Sequence, residues 1–232
     1  MLESSVRGEE RVKSPSRYLH NVPLQLTSFV GREDELTRAL DLLGQTRLLT
    51  LTGAGGAGKT RLALEVAARL AHEGRYPGGV WLVELATLTD ARLVLQAVAS
   101  ALGVREEPGR PLTDILVDAL GARPLLLILD NCEHLVQACA ELAEKLLRAC
   151  PRLTILASSR EALGVPGEVA WRVPSLGLPA AGAAIHFDTL VRYEAVRLLV
   201  ERASSAQPGF ALNARKSGWP WLWCVFGTFA VT

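Results

Sequence analysis

From Leu48 to Thr52 the chain is apolar with little alternation, and the same continuous pattern returns at Val80–Leu85, Leu125–Leu129, Leu153–Ala157 and Val169–Val173. Between these runs, apolar residues recur every three or four positions. They do so from Arg32 to Leu43, from Lys59 to about His72, across 90–102 and 112–120, and from Glu133 to Arg148. Short uninterrupted apolar runs are strands buried on both faces, and the helix-period segments between them supply the covering layers. The alternation predicts an α/β fold, a three-layer sandwich with a parallel sheet in the middle. Cys139 falls in the stripe Leu135, Cys139, Leu142, Leu146, spaced as the buried face of a helix, where a thiol acts as a small hydrophobe.

The pattern is absent at both ends. Residues 1–22 mix charges with Ser14, Pro15 and Ser16, run up to Pro23 and show no apolar period, so they read as a leader or linker, with the ordered domain expected from Leu24. After Val173 the sequence is rich in Pro and Gly through Pro179. An amphipathic stretch from Tyr193 to Ala203 follows, with Val196, Leu199 and Val200 on one side, and it opens a second, helical region that is expected to be incomplete. In the final segment Trp219, Trp221, Trp223, Phe226 and Phe229 make an apolar tail, 213–232, without helical spacing and interrupted by Pro220 and Gly227. It reads as an improvised hydrophobic cap or, preferably, as a coding frame that departs from the ancestral one near Asn213.

Composition narrows the function classes. An apolar share of 49% with 21% charged residues excludes a disordered or collagen-like chain. Lys plus Arg number 25 against 24 Asp plus Glu, so no whole-chain field draws the protein to DNA, RNA or an anionic membrane. The first twenty residues have no apolar core, and no apolar run approaches the roughly 20 residues that span a bilayer, which makes the cytoplasm the expected compartment. Cys132, Cys139, Cys150 and Cys224 include no C-x-x-C pair, so neither a zinc site nor a disulfide framework is suggested. Lysine occurs at 13, 59, 145 and 216, with Arg supplying the other basic residues, and Lys59 therefore stands out.

Lys59 closes the segment Gly53-Ala54-Gly55-Gly56-Ala57-Gly58-Lys59-Thr60, which fits G-x-x-x-x-G-K-[ST] and lies between an expected strand and an expected helix. Glycines let the backbone curl so that successive N–H groups point at phosphate oxygens, and the helix start adds its positive dipole end. In such a loop Lys59 reaches the β- and γ-phosphates and the Thr60 hydroxyl ligates Mg²⁺. Arg61 follows directly and belongs to the same candidate site.

A second piece is Leu125-Leu126-Leu127-Ile128-Leu129-Asp130, a buried strand ending in an acid that can hold the metal, a Walker B pattern. Taken alone, Asp130 or Asn131 would do equally well as caps for the next helix. The adjacent glutamate that usually polarises the attacking water is replaced by Asn131, and the nearest acid, Glu133, fits either that role or a dipole-favoured place in the first turn of a helix. Slow hydrolysis is expected. A third strand, Leu153–Ala157, leads into Ser158-Ser159-Arg160, which places Arg160 on the ligand side of an open sheet, either as a γ-phosphate sensor or as a surface turn residue.

These segments, with Phe29-Val30-Gly31-Arg32-Glu33 ahead of them, resemble the STAND signal-transduction ATPases, in particular the bacterial NB-ARC-like modules of LuxR- and AfsR-type regulators. The likeness extends over about residues 21–212 and includes His20-Asn21-Val22-Pro23-Leu24, Asp130-Asn131-Cys132-Glu133-His134, Ala157-Ser158-Ser159-Arg160-Glu161 and Tyr193-Glu194-Ala195-Val196-Arg197-Leu198. It implies a P-loop NTPase domain over 23–176 and the start of a helical domain over 177–212. It further implies that Val30, Gly31 and Arg32 lie near adenine and ribose, that Gly53 to Thr60 hold the phosphates, that Thr60 and Asp130 hold Mg²⁺, and that Arg160 is the first sensor. The Walker B strand is then third, with the sensor strand between it and the P-loop strand.

Family members continue into a helical domain with a Gly-Leu-Pro-Leu motif, a winged helix and usually repeats. Gly177-Leu178-Pro179-Ala180 resembles that motif superficially, and its place before the Tyr193 helix fits a loop after the last strand better. The resemblance implies an ATP/ADP switch with Mg²⁺ and protein partners or self-association through effector and sensor domains. No helix-turn-helix or basic cluster is apparent in these residues, so no direct nucleic-acid contact is expected of them, although the resemblance implies such a domain in a full-length relative; no membrane contact is expected. A non-catalytic nucleotide-binding or interaction module is the alternative. A P-loop small-molecule kinase would use the same cradle but would need an acceptor pocket and a lid.

Overall fold

The structure, a computed structural model, describes residues 19–121, 123–177, 187–207 and 210. The leader up to residue 18, Leu178–Ala180 of the Gly-Leu-Pro-Ala segment, the tail 213–232 and Cys224 lie outside the described residues. In chain order the elements are α1 (Glu33–Gln45), β1 (Leu48–Thr52), α2 (Lys59–Glu73), β2 (Val80–Glu84), α3 (Leu93–Ala101), α4 (Leu112–Leu120) and β3 (Leu125–Asp130). A 3₁₀ turn (Cys132–His134), α5 (Val136–Ala149), β4 (Leu153–Ser158), β5 (Glu168–Arg172), α6 (Phe187–Leu190) and α7 (Glu194–Ala206) complete the sequence.

The five strands form one sheet in the order β2-β3-β4-β1-β5, and every pairing is parallel. The expected three-layer α/β sandwich is therefore present, with β4 between β3 and β1. Alternation along β3 explains how both faces are filled. Leu125, Leu127 and Leu129 pack with residues of α3, α4 and α5, whereas Leu126 and Ile128 pack with residues of α1 and α2. All six positions of β3 and all six of β4 are buried, at roughly 1.5–3 kcal/mol for each large aliphatic side chain. Cys139 lies fully buried in the α5 face with Leu142 and Leu146.

Several boundaries differ from the sequence pattern, each for a local reason. The helix expected from Glu133 begins at Val136, because Asn131 takes a left-handed conformation with φ 66 and the residues after it close a 3₁₀ turn first. Neither Asp130 nor Asn131 caps a helix through its side chain. The first helix begins at Glu33 because Arg32, at φ 65, is also left-handed. The pattern over 90–102 becomes helical at Leu93, after a turn in which Asp90 accepts hydrogen bonds from Arg92. The last strand is shifted back to Glu168 and lies at the sheet edge with several exposed positions, unlike the doubly covered strand expected from its sequence.

Residues before Leu24 also pair with the sheet. The Leu19 carbonyl accepts from the Val80 N–H at 3.0 Å, and the Asn21 amide both donates to the Leu82 carbonyl at 2.8 Å and accepts from the Leu82 N–H at 2.6 Å. Backbone groups on the open edge of β2 are thus paired by the incoming segment.

Beyond β5, α7 runs from Glu194 to Ala206, slightly longer than the expected Tyr193–Ala203. Val196 is fully buried in a small cluster with Leu190, against which Tyr193, Leu199 and Val200 pack. Among the described residues, no helix is long and apolar enough to cross a membrane.

Candidate functional site

Parallel strands place all their carboxyl ends on one side of the sheet, and the candidate chemistry gathers there. The β1 to α2 connection, Gly53–Gly58, turns through three glycines of positive φ: Gly53 at 142, Gly56 at 74 and Gly58 at 79. At Gly53 an added Cβ would also meet the Val173 carbonyl oxygen at 3.3 Å, so both backbone angle and space favour glycine.

Lys59, the first residue of α2, is buried with 8% of its surface exposed, and its Nζ donates to the Gly53 and Ala54 carbonyls, each at 2.9 Å. Burial pulls the ammonium below its ordinary range, while the negative charges of Glu133 and, less strongly, Asp130 oppose that shift. Thr60 lies one residue further on, and its Oγ1 donates toward both Asp130 carboxylate oxygens, at 2.9 and 3.0 Å. Asp130 ends β3 and is 7% exposed.

Ser158, at the end of β4, completes this cluster. Its hydroxyl donates to Asp130 Oδ1 and accepts the Asn131 N–H at 2.9 Å. Nothing in the sequence assigns Ser158 a role. The available signal was its place at the carboxyl end of the strand beside β3, which becomes informative once strand order is known.

Arg160, two residues later, has its side chain 68% exposed and donates from Nε to Glu133 Oε1 at 2.9 Å. The structure therefore brings Lys59, Thr60, Asp130, Ser158, Glu133 and Arg160 to one edge, where Arg160 pairs with Glu133.

The segment before α1 divides its residues between two places. Arg32 is 5% exposed, and an atom added at the Cβ position of Gly58 would lie 3.7 Å from the Arg32 guanidinium carbon. Its Nη2 donates to the Pro174 carbonyl at 2.9 Å, whereas Nη1 is buried with no hydrogen-bond partner. Burial lowers the guanidinium from its ordinary range, against the charges of Glu35 and Glu194. The Arg32 N–H donates to Glu194 Oε1 at 3.2 Å, which ties the segment to the start of α7.

Val30 lines a cavity of about 560 Å³ with Val196, Arg197, Val200 and Glu201 of α7. Gly31, at φ 67, packs under the Glu194 side chain. Arg61 is engaged elsewhere: its guanidinium contacts Gln25 Oε1 and the Thr27 carbonyl. Glu194 has no sequence signal of its own, and its contacts with the Arg32 and Gly177 N–H groups exist only in the tertiary structure.

Among the described residues, no group of three or more His, Cys, Asp or Glu side chains could hold a metal. Thr60 and Asp130 offer two hard oxygen ligands. Such a pair suits Mg²⁺ when phosphate oxygens and water complete the octahedron.

Residues 42–164 match the family model described as AAA domain, slightly more than half of the chain. An uncharacterized protein of Mycobacterium tuberculosis is 45% identical over 195 residues, covering 84% of this chain and 46% of that protein. Another Mycobacterium tuberculosis protein, named as an HTH-type transcriptional regulator, is 47% identical over 171 residues, covering 74% of this chain and 18% of that protein. The chain thus spans less than half the length of these curated relatives. Among solved structures, a Signal Transduction ATPase with Numerous Domains (STAND) protein with a tetratricopeptide repeat sensor, from Pyrococcus horikoshii, aligns with a TM-score of 0.46 and 16% identity. That alignment covers 71% of this chain and 26% of that one.

Proposed function

Because the chain belongs to the AAA domain family of P-loop ATPases, we propose that it is an ATP- and ADP-binding switch module of a bacterial regulator, hydrolysing ATP slowly. The observation that carries this reading is the meeting of Lys59, Thr60 and Asp130 at the carboxyl edge of the sheet, with Thr60 and Asp130 in direct hydrogen-bond contact. Gly53–Thr60 would cradle the phosphates and Lys59 would exchange its two loop carbonyls for β- and γ-phosphate oxygens. Thr60 and Asp130 would hold Mg²⁺, whose charge would screen the phosphates. Val30, Gly31 and Arg32 would hold adenine and ribose, and Arg160 would read the γ-phosphate. Arg61, engaged by the 25–27 segment, would contribute by fixing that segment over the site.

A switch requires a second element whose position depends on the nucleotide, since a ligand shifts an equilibrium only by its differential affinity for two states. α7 fits that part: Glu194 contacts Arg32, and Arg32 reaches Gly58 of the phosphate loop. We assign 23–176 to the nucleotide-binding domain and 177–212 to the start of the helical domain. The regulator setting is supported by the name of the second relative, and protein partners or self-association would act through domains outside this chain. Neither a nucleic acid nor a membrane is assigned to these residues.

Phosphate release from Mg–ATP tests the activity. Turnover well under about one per second is expected, without a phosphorylated acceptor, and transfer to a small molecule would instead support a kinase. Limited proteolysis with ATP and with ADP tests the switch, for which different protection of α7 is expected and identical patterns would overturn it.

A further inference from the structure

Transfer of a phosphoryl group to water needs a group that orients the water and takes its proton. The position directly after Asp130 holds Asn131, whose amide offers no basic carboxylate. Its backbone is committed as well: Asn131 is left-handed, its N–H donates to Ser158 Oγ, and its side-chain amide lies 3.5 Å from His134 Nδ1.

That left-handed residue has a consequence for the acid two positions on. It turns the chain into the 3₁₀ segment Cys132–His134 at the end of β3, and both ends of this turn are pinned. Cys132 is fully buried with Sγ donating to the Leu129 carbonyl at 3.3 Å, and His134 Nε2 lies 2.8 Å from the Leu88 carbonyl. Glu133 sits between these anchors. Its side chain is 19% exposed and its Oε1 accepts from Arg160 Nε at 2.9 Å. Glu133 follows the carboxyl end of β3 and Arg160 the carboxyl end of β4, so their pair lies on the side of the parallel sheet that carries the phosphate loop, and the charge of Glu133 opposes the lowering of the Lys59 ammonium by burial.

We propose that Glu133, held by Arg160, is the carboxylate that orients and deprotonates the water attacking the γ-phosphate. This rests on the ATP reading above. In the step, the water oxygen bonds to the γ-phosphorus while the bond from that phosphorus to the β,γ-bridging oxygen breaks, its electron pair leaving on ADP. The water proton passes to the Glu133 carboxylate and then to solvent, and the products are ADP and inorganic phosphate. Arg160 fixes the carboxylate through Oε1 in the resting arrangement, and a γ-phosphate competes for the same guanidinium. Hydrolysis is then slow because the base is shared with the sensor.

The experiment measures Mg–ATP affinity and single-turnover phosphate release for the full chain and for its Glu133→Gln and Glu133→Asp variants, with circular dichroism to verify folding. Removing a general base costs about 10²–10⁴-fold. Glu133→Gln is therefore expected to slow release by about a hundredfold or more with the ATP dissociation constant unchanged within about threefold, and Glu133→Asp to recover part of the rate. A smaller loss of rate overturns the assignment. So does a loss of ATP affinity with release preserved, which would make Glu133 only an anchor for Arg160. A wild-type chain that binds Mg–ATP and releases no phosphate overturns the Glu133 role and leaves nucleotide binding standing, whereas a chain that binds no ATP overturns both.

Discussion

Thr60 and Asp130 are seventy residues apart in sequence, yet the Thr60 hydroxyl donates toward both carboxylate oxygens of Asp130, at 2.9 and 3.0 Å. One lies in the first turn of α2 and the other ends β3, so this contact exists only because the sheet is parallel and carries both strand ends to one side. It joins the loop that would receive phosphate to the acid that would receive the metal.

Asp130→Asn keeps the shape of the pair and removes its charge. Mg–ATP affinity is expected to fall by about tenfold or more, as hydrogen bonds and ligation to charged groups are worth roughly 1.5–3 kcal/mol. Binding without metal is expected to change much less. Titration with and without Mg²⁺ checks this, and an equal loss in both would place Asp130 outside the metal site.

The centre of the sheet was the most legible part of the sequence. Continuous apolar runs at Leu125–Leu129 and Leu153–Ala157 can be buried only between two helical layers, and that is where they lie. The phosphate loop was legible because its glycines and Lys59 serve a local backbone geometry. Arg32, Asn131 and Ser158 were harder to read. Left-handed backbone at non-glycine residues has no apolar signature, and the hydroxyl of Ser158 acquires a partner only when β4 settles beside β3. Arg160 was legible as a basic residue at a strand end, but its pairing with Glu133 depends on the turn that Asn131 starts.

Leu127 is fully buried in the central strand. Leu127→Ala is expected to lower unfolding stability by about 2–5 kcal/mol, the transfer cost plus the cavity left behind. Urea denaturation monitored by tryptophan fluorescence measures it, and a change below about 1 kcal/mol would contradict the packing described for β3.

Gly58 adopts φ 79, and a Cβ there would meet the Arg32 guanidinium carbon at an ordinary 3.7 Å. Gly58→Ala should therefore act through backbone strain, costing about 1–2 kcal/mol of stability, and not through a clash. Chemical denaturation checks the magnitude. Trimming Arg32 in the same chain should not restore the loss.

Glu194 accepts the Arg32 N–H through Oε1 and lies 3.5 Å from the Gly177 N–H through Oε2. Replacing it by Ala leaves both donors without this carboxylate and is expected to cost about 1 kcal/mol while speeding amide exchange at Arg32. Hydrogen-exchange mass spectrometry of the peptide spanning 29–36 reads the effect. Unchanged exchange there would remove α7 from the coupling route.

The most direct test of the account is calorimetric titration of the chain and of Lys59→Ala with ATP and with ADP in the presence of Mg²⁺. The unaltered chain is expected to bind both nucleotides, and the variant, folded to the same extent, to lose about tenfold or more in affinity for ATP. A folded chain that binds neither nucleotide, or binding that is indifferent to Lys59, would contradict it.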